Sequence, residues 1–191
     1  NFNSIKSFYL KLISVIKIFI LYLISLFFLF TTLVKSQEYG SNTGFKLPRF
    51  VSLKSDETNL RIGSSINYPI ILQYTIKNLP IKITEEYDSW RKIKDFEGNE
   101  GWIHKTILKG DRFGIINNLS GPYAKIYLNP KGKIIGEIGK KNIVKIINCL
   151  PHWCKIRYKK NKGWINKKNL WGVYENEEFN TTIFQPLIKI I

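Results

Sequence analysis

The chain has 191 residues, with 30 Lys and Arg against 14 Asp and Glu, for a formal charge of +16. That length allows one ordinary domain or two small ones, and the charge admits an anionic partner such as cell-wall polymer, lipid headgroup or nucleic acid. Only five of the basic residues are arginine and no dense basic run occurs, so AT-rich coding accounts for the surplus equally well. No phosphate-binding loop or dinucleotide fingerprint is present, which leaves nucleotide chemistry without a motif.

Residues 1–36 differ from the remainder. Lys6, Lys11 and Lys17 precede a run from Ile18 to Val34 without a charged side chain. A basic start followed by an apolar run is the pattern of a secretory signal, with Val34-Lys35-Ser36 as its cleavage site. The run is also nearly long enough to span a bilayer, so an uncleaved anchor is the alternative. Either reading puts residues 37–191 across the membrane. Without residues 1–36, 26 basic side chains face 14 acidic ones, or +12. Residues 37–46, with Gly40, Ser41, Asn42, Thr43 and Gly44, read as a flexible tether.

From Leu47 onward the sequence repeats. Trp90 is followed by Ile93, Gly101-Trp102-Ile103 and Leu108; Trp153 is followed by Ile156, Gly163-Trp164-Ile165 and Leu170. Lys105 and Lys167 also match, and residues 59–71 loosely parallel 125–135. The first Trp of each set stands 63 residues from its counterpart, a period that signals two domains rather than a solenoid. Ile81-Lys82-Ile83-Thr84 alternates as a strand does. Glu97-Gly98-Asn99 and Asn161-Lys162-Gly163 read as tight turns. Many short strands in about 60 residues predict an all-β fold of two small closed barrels, at residues 47–112 and 113–174, with 175–191 as a tail. The Gly before Trp102 and Trp164 fits a strand that another backbone or ring approaches closely. The four tryptophans are either core anchors or part of a surface groove.

The segments Leu47–Ile70, Trp90, Gly101-Trp102-Ile103, Cys149–Cys154 and Leu170–Tyr174 resemble the bacterial SH3-like domain proteins of alphaproteobacteria. The resemblance spans about 47–174. It implies two tandem SH3-like barrels behind an N-terminal hydrophobic export or anchor helix, a non-catalytic protein, and a cell-wall polymer or envelope protein as partner. Tyr68, Tyr87, Trp90 and Trp102 are the candidate aromatic groove, with Arg61 contacting carboxylates through its planar fork. The second barrel lacks the Asn59-Leu60-Arg61 and Tyr68-Pro69 elements, so the first is the better candidate for binding and the second for structure. A protein–protein scaffold, using the apolar tail 182–191, is the alternative function. Nucleic acid is not expected, because export argues against it, and membrane contact is expected only through residues 1–36 if these stay uncleaved.

Aligning Trp153 with Trp90 puts Cys149 over Glu86 and Cys154 over Arg91. A four-residue hairpin loop then sets each pair directly across two strands, close enough for a Cys149–Cys154 disulfide in an oxidising compartment and for an exposed Glu86–Arg91 ion pair. Cys149, His152 and Cys154 form poor zinc spacing, so no metal and no cofactor is expected. The only histidines, His104 and His152, form no catalytic constellation with a free thiol. Asn118 and Asn180 head chance-level glycosylation sequons.

Overall fold

The computed structural model describes residues 2–31, 38–117 and 121–179. A helix, α1, runs Phe2–Thr31. Among the described residues no helix is long and apolar enough to cross a membrane. Lys11 and Lys17 interrupt the apolar side chains of α1. The expected cleavage site, both sequons and the tail beyond Phe179 lie outside the described residues.

Residues 38–179 contain fourteen strands in two seven-stranded antiparallel sheets. The first holds β1 Arg49–Leu53, β2 Thr58–Arg61, β3 Ile70–Tyr74, β4 Pro80–Tyr87, β5 Trp90–Lys94, β6 Glu100–His104 and β7 Leu108–Lys109. The second holds β8 Phe113–Ile116, β9 Tyr123–Tyr127, β10 Ile134–Gly139, β11 Ile143–Cys149, β12 Trp153–Tyr158, β13 Asn161–Asn166 and β14 Leu170–Trp171. Their strand orders, β3-β2-β6-β5-β4-β1-β7 and β10-β9-β13-β12-β11-β8-β14, are the same order displaced by seven strands. The repeat read in the sequence is thus a structural duplication.

Alternation builds each core. Ile81, Ile83, Ile93 and Ile103 are buried in the first repeat, as are Val144, Ile146, Ile156 and Ile165 in the second. Burying each such side chain stabilises by roughly 1.5–3 kcal/mol at most. The Gly of each Gly-Trp-Ile step is required by close approach. A Cβ on Gly101 would lie 2.7 Å from the Arg61 carbonyl oxygen, and one on Gly163 would collide with Ile126 Cγ2.

Three expectations about local structure need correction. The hairpin loops have two residues, not four: Tyr87 pairs Trp90, with Asp88 at φ 47°, and the Leu150 N–H donates to the Trp153 carbonyl. Asn161-Lys162-Gly163 is strand; the turn is Lys159-Lys160, with Lys159 at φ 52° and Tyr158 paired to Asn161. The segment 38–46 is a docked turn rather than a flexible tether. Tyr39 bridges Lys46, the Gly40 N–H donates to Phe45, and the backbone N–H groups of Asn42 and Thr43 donate to Glu86.

The register of the two hairpins is as the repeat predicts: Glu86 pairs Arg91 and Cys149 pairs Cys154. Cys149 and Cys154 form a disulfide. The acid–base pair is buried, not exposed, with the Glu86 side chain fully inaccessible and Arg91 at 4%. Arg91 shares its strand face with Ile93, and both face the core. The disulfide closes a loop of only six residues, so the chain-entropy model gives it about 2 kcal/mol. The Cys149→Ala/Cys154→Ala variant should therefore lose about 2 kcal/mol in urea melts of the oxidised protein. A loss below about 0.5 kcal/mol would show that the cross-link does not stabilise the fold.

The two repeats share a packed seam. Ile115 of β8 is buried in the first core, with Ile143 and Trp171 packed against that same core. The Phe50 ring meets Trp171 at 5.0 Å and Tyr174 at 4.9 Å, and the Tyr174 hydroxyl donates to the Pro48 carbonyl. Arg112 donates to both Glu177 carboxylate oxygens and to the Gly172 carbonyl, between the rings of Phe50 and Phe179.

Candidate functional site

Side chains alternate along a strand, so directly paired residues share a face. In the first repeat the odd partners of the core residues point outward in two rows. One row crosses β4, β5, β6 and β2 as Glu85, Lys92, Trp102 and Arg61. The other crosses β4, β5 and β6 as Tyr87, Trp90 and His104. Four of the five sequence-derived residues, Arg61, Tyr87, Trp90 and Trp102, therefore share one outer face. Trp90 and Trp102 are half-buried and Tyr87 is exposed. The Trp90 ring meets His104 edge-on at 5.4 Å. Trp90 and Trp102 are neither core anchors nor free; half-buried, they form part of the face.

Tyr68 joins through the backbone rather than through its ring. The Arg61 Nη1 donates to the Tyr68 carbonyl at 2.7 Å, and the Tyr68 ring lies over Gly63, where any Cβ would strike it. Arg61 thus holds the 62–69 loop with one arm of its fork. The charges on this face are largely matched. Lys92 bonds Glu85 at 2.7 Å and Lys94 bonds Glu100 at 2.8 Å. The hydrogen bond from Lys92 to Glu85 raises the lysine pKa, and Lys94 lowers that of Glu100.

By register the second repeat carries the equivalent face. Tyr127 stands opposite Trp164 where Arg61 stands opposite Trp102, and Trp153 pairs Asn166 where Trp90 pairs His104. Tyr127 meets Trp153 edge-on at 5.0 Å, and Lys155 lies 5.9 Å over the Trp164 ring. This face runs into a cleft of about 670 Å³ lined by Lys131, His152, Trp153, Asn166, Lys168 and Tyr174, among others. The sequence reading missed it, because the cleft is walled by Val173–Glu175, a segment brought there by Lys167. The Lys167 ammonium is buried and donates to the carbonyls of Pro151, Glu175 and Glu177. Burial lowers its pKa against the opposing pull of Glu177, Glu178 and Glu175. Its sequence counterpart Lys105 is exposed, so the shared lysine gave no signal of this role. Among the described residues no group of three or more His, Cys, Asp or Glu side chains is arranged to hold a metal ion.

A duplicated antiparallel sheet with an aromatic outer face defines a small all-β module in two copies. The bacterial SH3 domain family model matches residues 54–110 and 129–172, more than half of the chain, and the chain belongs to that family. The match carries no alphaproteobacterial placement. No curated protein matches the chain. Among solved structures, an NlpC/P60 family protein from Bacillus cereus ATCC 10987 is 13% identical at a TM-score of 0.29, over 64% of this chain and 55% of that one. NlpC2 of Trichomonas vaginalis is 16% identical at 0.29, over 65% and 48%. NlpC1 of the same organism is 17% identical at 0.28, over 69% and 48%. This chain spans about half the length of those proteins.

Proposed function

We propose that the protein is an exported, non-catalytic binding module of the cell envelope. Each sheet closes as a small barrel, and the first recognises peptidoglycan or another envelope component through its outer face. The observation that carries this reading is the convergence of Arg61, Tyr87, Trp90 and Trp102 on one face by strand register. Half-buried indole rings offer apolar area at low entropic cost, and a guanidinium beside them suits a carboxylate of a peptide stem. Family membership and the basic start of the chain support the envelope assignment. The full chain should cosediment with purified peptidoglycan sacculi. The Arg61→Ala/Tyr87→Ser variant, changed at non-core positions, should bind at least about ten-fold more weakly, because anchors of this kind are worth about 2 kcal/mol. Wild-type protein that stays in the supernatant would overturn peptidoglycan as the ligand.

A further inference from the structure

The net charge of the folded part is not shared between the repeats. Residues 47–112 carry 11 Lys and Arg against 9 Asp and Glu, a balance of +2. Residues 113–174 carry 13 against the single carboxylate Glu137, a balance of +12. The basic counts are similar and the acidic counts are not. A coding bias toward lysine would act on both repeats alike and does not explain the missing acids of the second.

The strands gather this charge onto the aromatic face. Lys155 pairs Trp164, Arg157 pairs Lys162, and the turn between those strands is Lys159-Lys160. On the first repeat, the lysines of the corresponding strand are neutralised by Glu85 and Glu100. Among the described residues, no carboxylate stands within 4.0 Å of Lys155, Arg157 or Lys162. Like charges gathered on one face repel, and a bound anion relieves that cost more fully than solvent and salt do. The face continues without a break into the cleft, since Trp153 and Asn166 belong to both, and Lys131 and Lys168 stand at the cleft wall. One carboxylate, Glu175, also lines the cleft.

We propose that the outer face of the second repeat and its cleft bind an anionic glycan, a polymer of sugar rings bearing carboxylate or phosphate groups. The rings of Tyr127, Trp153 and Trp164 offer flat surfaces for sugars, and Lys155, Arg157 and Lys162 supply cations along the same strip. This site is separate from the face of the first repeat and does not depend on what that face binds.

The test uses the full chain and three immobilised probes: polygalacturonate, neutral dextran and single-stranded oligothymidylate. Binding to polygalacturonate should exceed binding to dextran and should fall roughly ten-fold or more between ~50 and ~200 mM salt, as multiple charge contacts require. The Lys155→Glu/Arg157→Glu/Lys162→Glu variant should lose that binding. A control with the same charge change at exposed positions of the first repeat, Lys54→Glu/Lys77→Glu/Lys105→Glu, should lose at most a few-fold. If the triple variant does not fold, Arg157→Glu alone, at an exposed position, should still weaken binding several-fold. No retention on polygalacturonate, an equal loss in the control, or tighter binding to oligothymidylate would each overturn the proposal, the last by making the site one for nucleic acid.

Discussion

Replacing Glu86 with alanine should destabilise the protein by about 3–5 kcal/mol at neutral pH, the range for removing one partner of a buried ion pair. Its carboxylate accepts the Asn42 and Thr43 N–H groups at 3.0 Å, the Thr43 hydroxyl at 2.7 Å and Arg49 at 2.6 Å, with Arg91 at 3.5 Å. The variant leaves the buried Arg91 charge without a carboxylate, held only by the Asp88 and Trp90 carbonyls, and takes the acceptor from two turn N–H groups. Gly40 belongs to the same unit, because any Cβ there would collide with the Glu86 carboxylate. Burial pushes the Glu86 carboxyl up, but the Thr43 hydroxyl, Arg49 and the two N–H donors outweigh it and hold the pKa at about 2, below the ordinary 4.5. The folded state thus binds the proton less readily than the unfolded state. Its stabilisation is fully present above pH 4.5 and is lost as the pH falls toward 2. That window is worth about 3 kcal/mol at 1.36 kcal/mol per pH unit. Urea melts between pH 7 and pH 2 should show this loss in the wild type and a much flatter profile in Glu86→Ala. A neutral-pH difference under about 1 kcal/mol would mean that the 38–46 turn is not fastened through Glu86.

The second large effect is expected at Gly101. A Cβ there would sit 2.7 Å from the Arg61 carbonyl oxygen and 2.8 Å from Leu60 Cγ, and Leu60 is fully buried. Replacing glycine with alanine ordinarily stabilises by about 0.4–1 kcal/mol through the unfolded chain. Here the backbone of β2 must move, and overpacking of that kind costs about 1–3 kcal/mol or more. The steric cost wins. Gly101→Ala should lose about 2 kcal/mol and Gly101→Val more. At Gly163 the nearest obstacle is the Ile126 side chain, with the Tyr127 carbonyl oxygen at 3.2 Å, so Gly163→Ala should cost less than Gly101→Ala. Equal stability of wild type and Gly101→Ala would show that β2 yields freely. Because Arg61 is carried on β2, the Gly101 variants should also disturb the face around Trp102.

Much of this arrangement is legible in one dimension because strands impose a period of two. Once Trp153 is aligned with Trp90, the cross-strand partners Glu86–Arg91 and Cys149–Cys154 follow, and so does the disulfide. Parity also holds the clue to the burial of Glu86 and Arg91, since Arg91 lies two residues from Ile93. A charged pair nonetheless reads as exposed, because nothing local reveals the turn 38–46 that covers and satisfies it. The one-residue difference between the Trp90–Trp102 and Trp153–Trp164 spacings is taken up at the turn around Gly98, which reaches φ +98° and is longer than Lys159-Lys160.

The sequence by itself determined the duplication, the all-strand character of the repeats and the cystine, since each depends on neighbours in register along or across a hairpin, whereas the side on which the tryptophans lie was open until the strands were paired. Only the tertiary structure decided the seam, the latch and the cleft. Ile115 fills the core of the other repeat, residues 41–43 close over Glu86, and Lys167 draws the 175–177 backbone against Pro151. Each of these is a contact between segments with no shared periodicity, made because a buried polar or apolar group must find a partner wherever the folded chain supplies one.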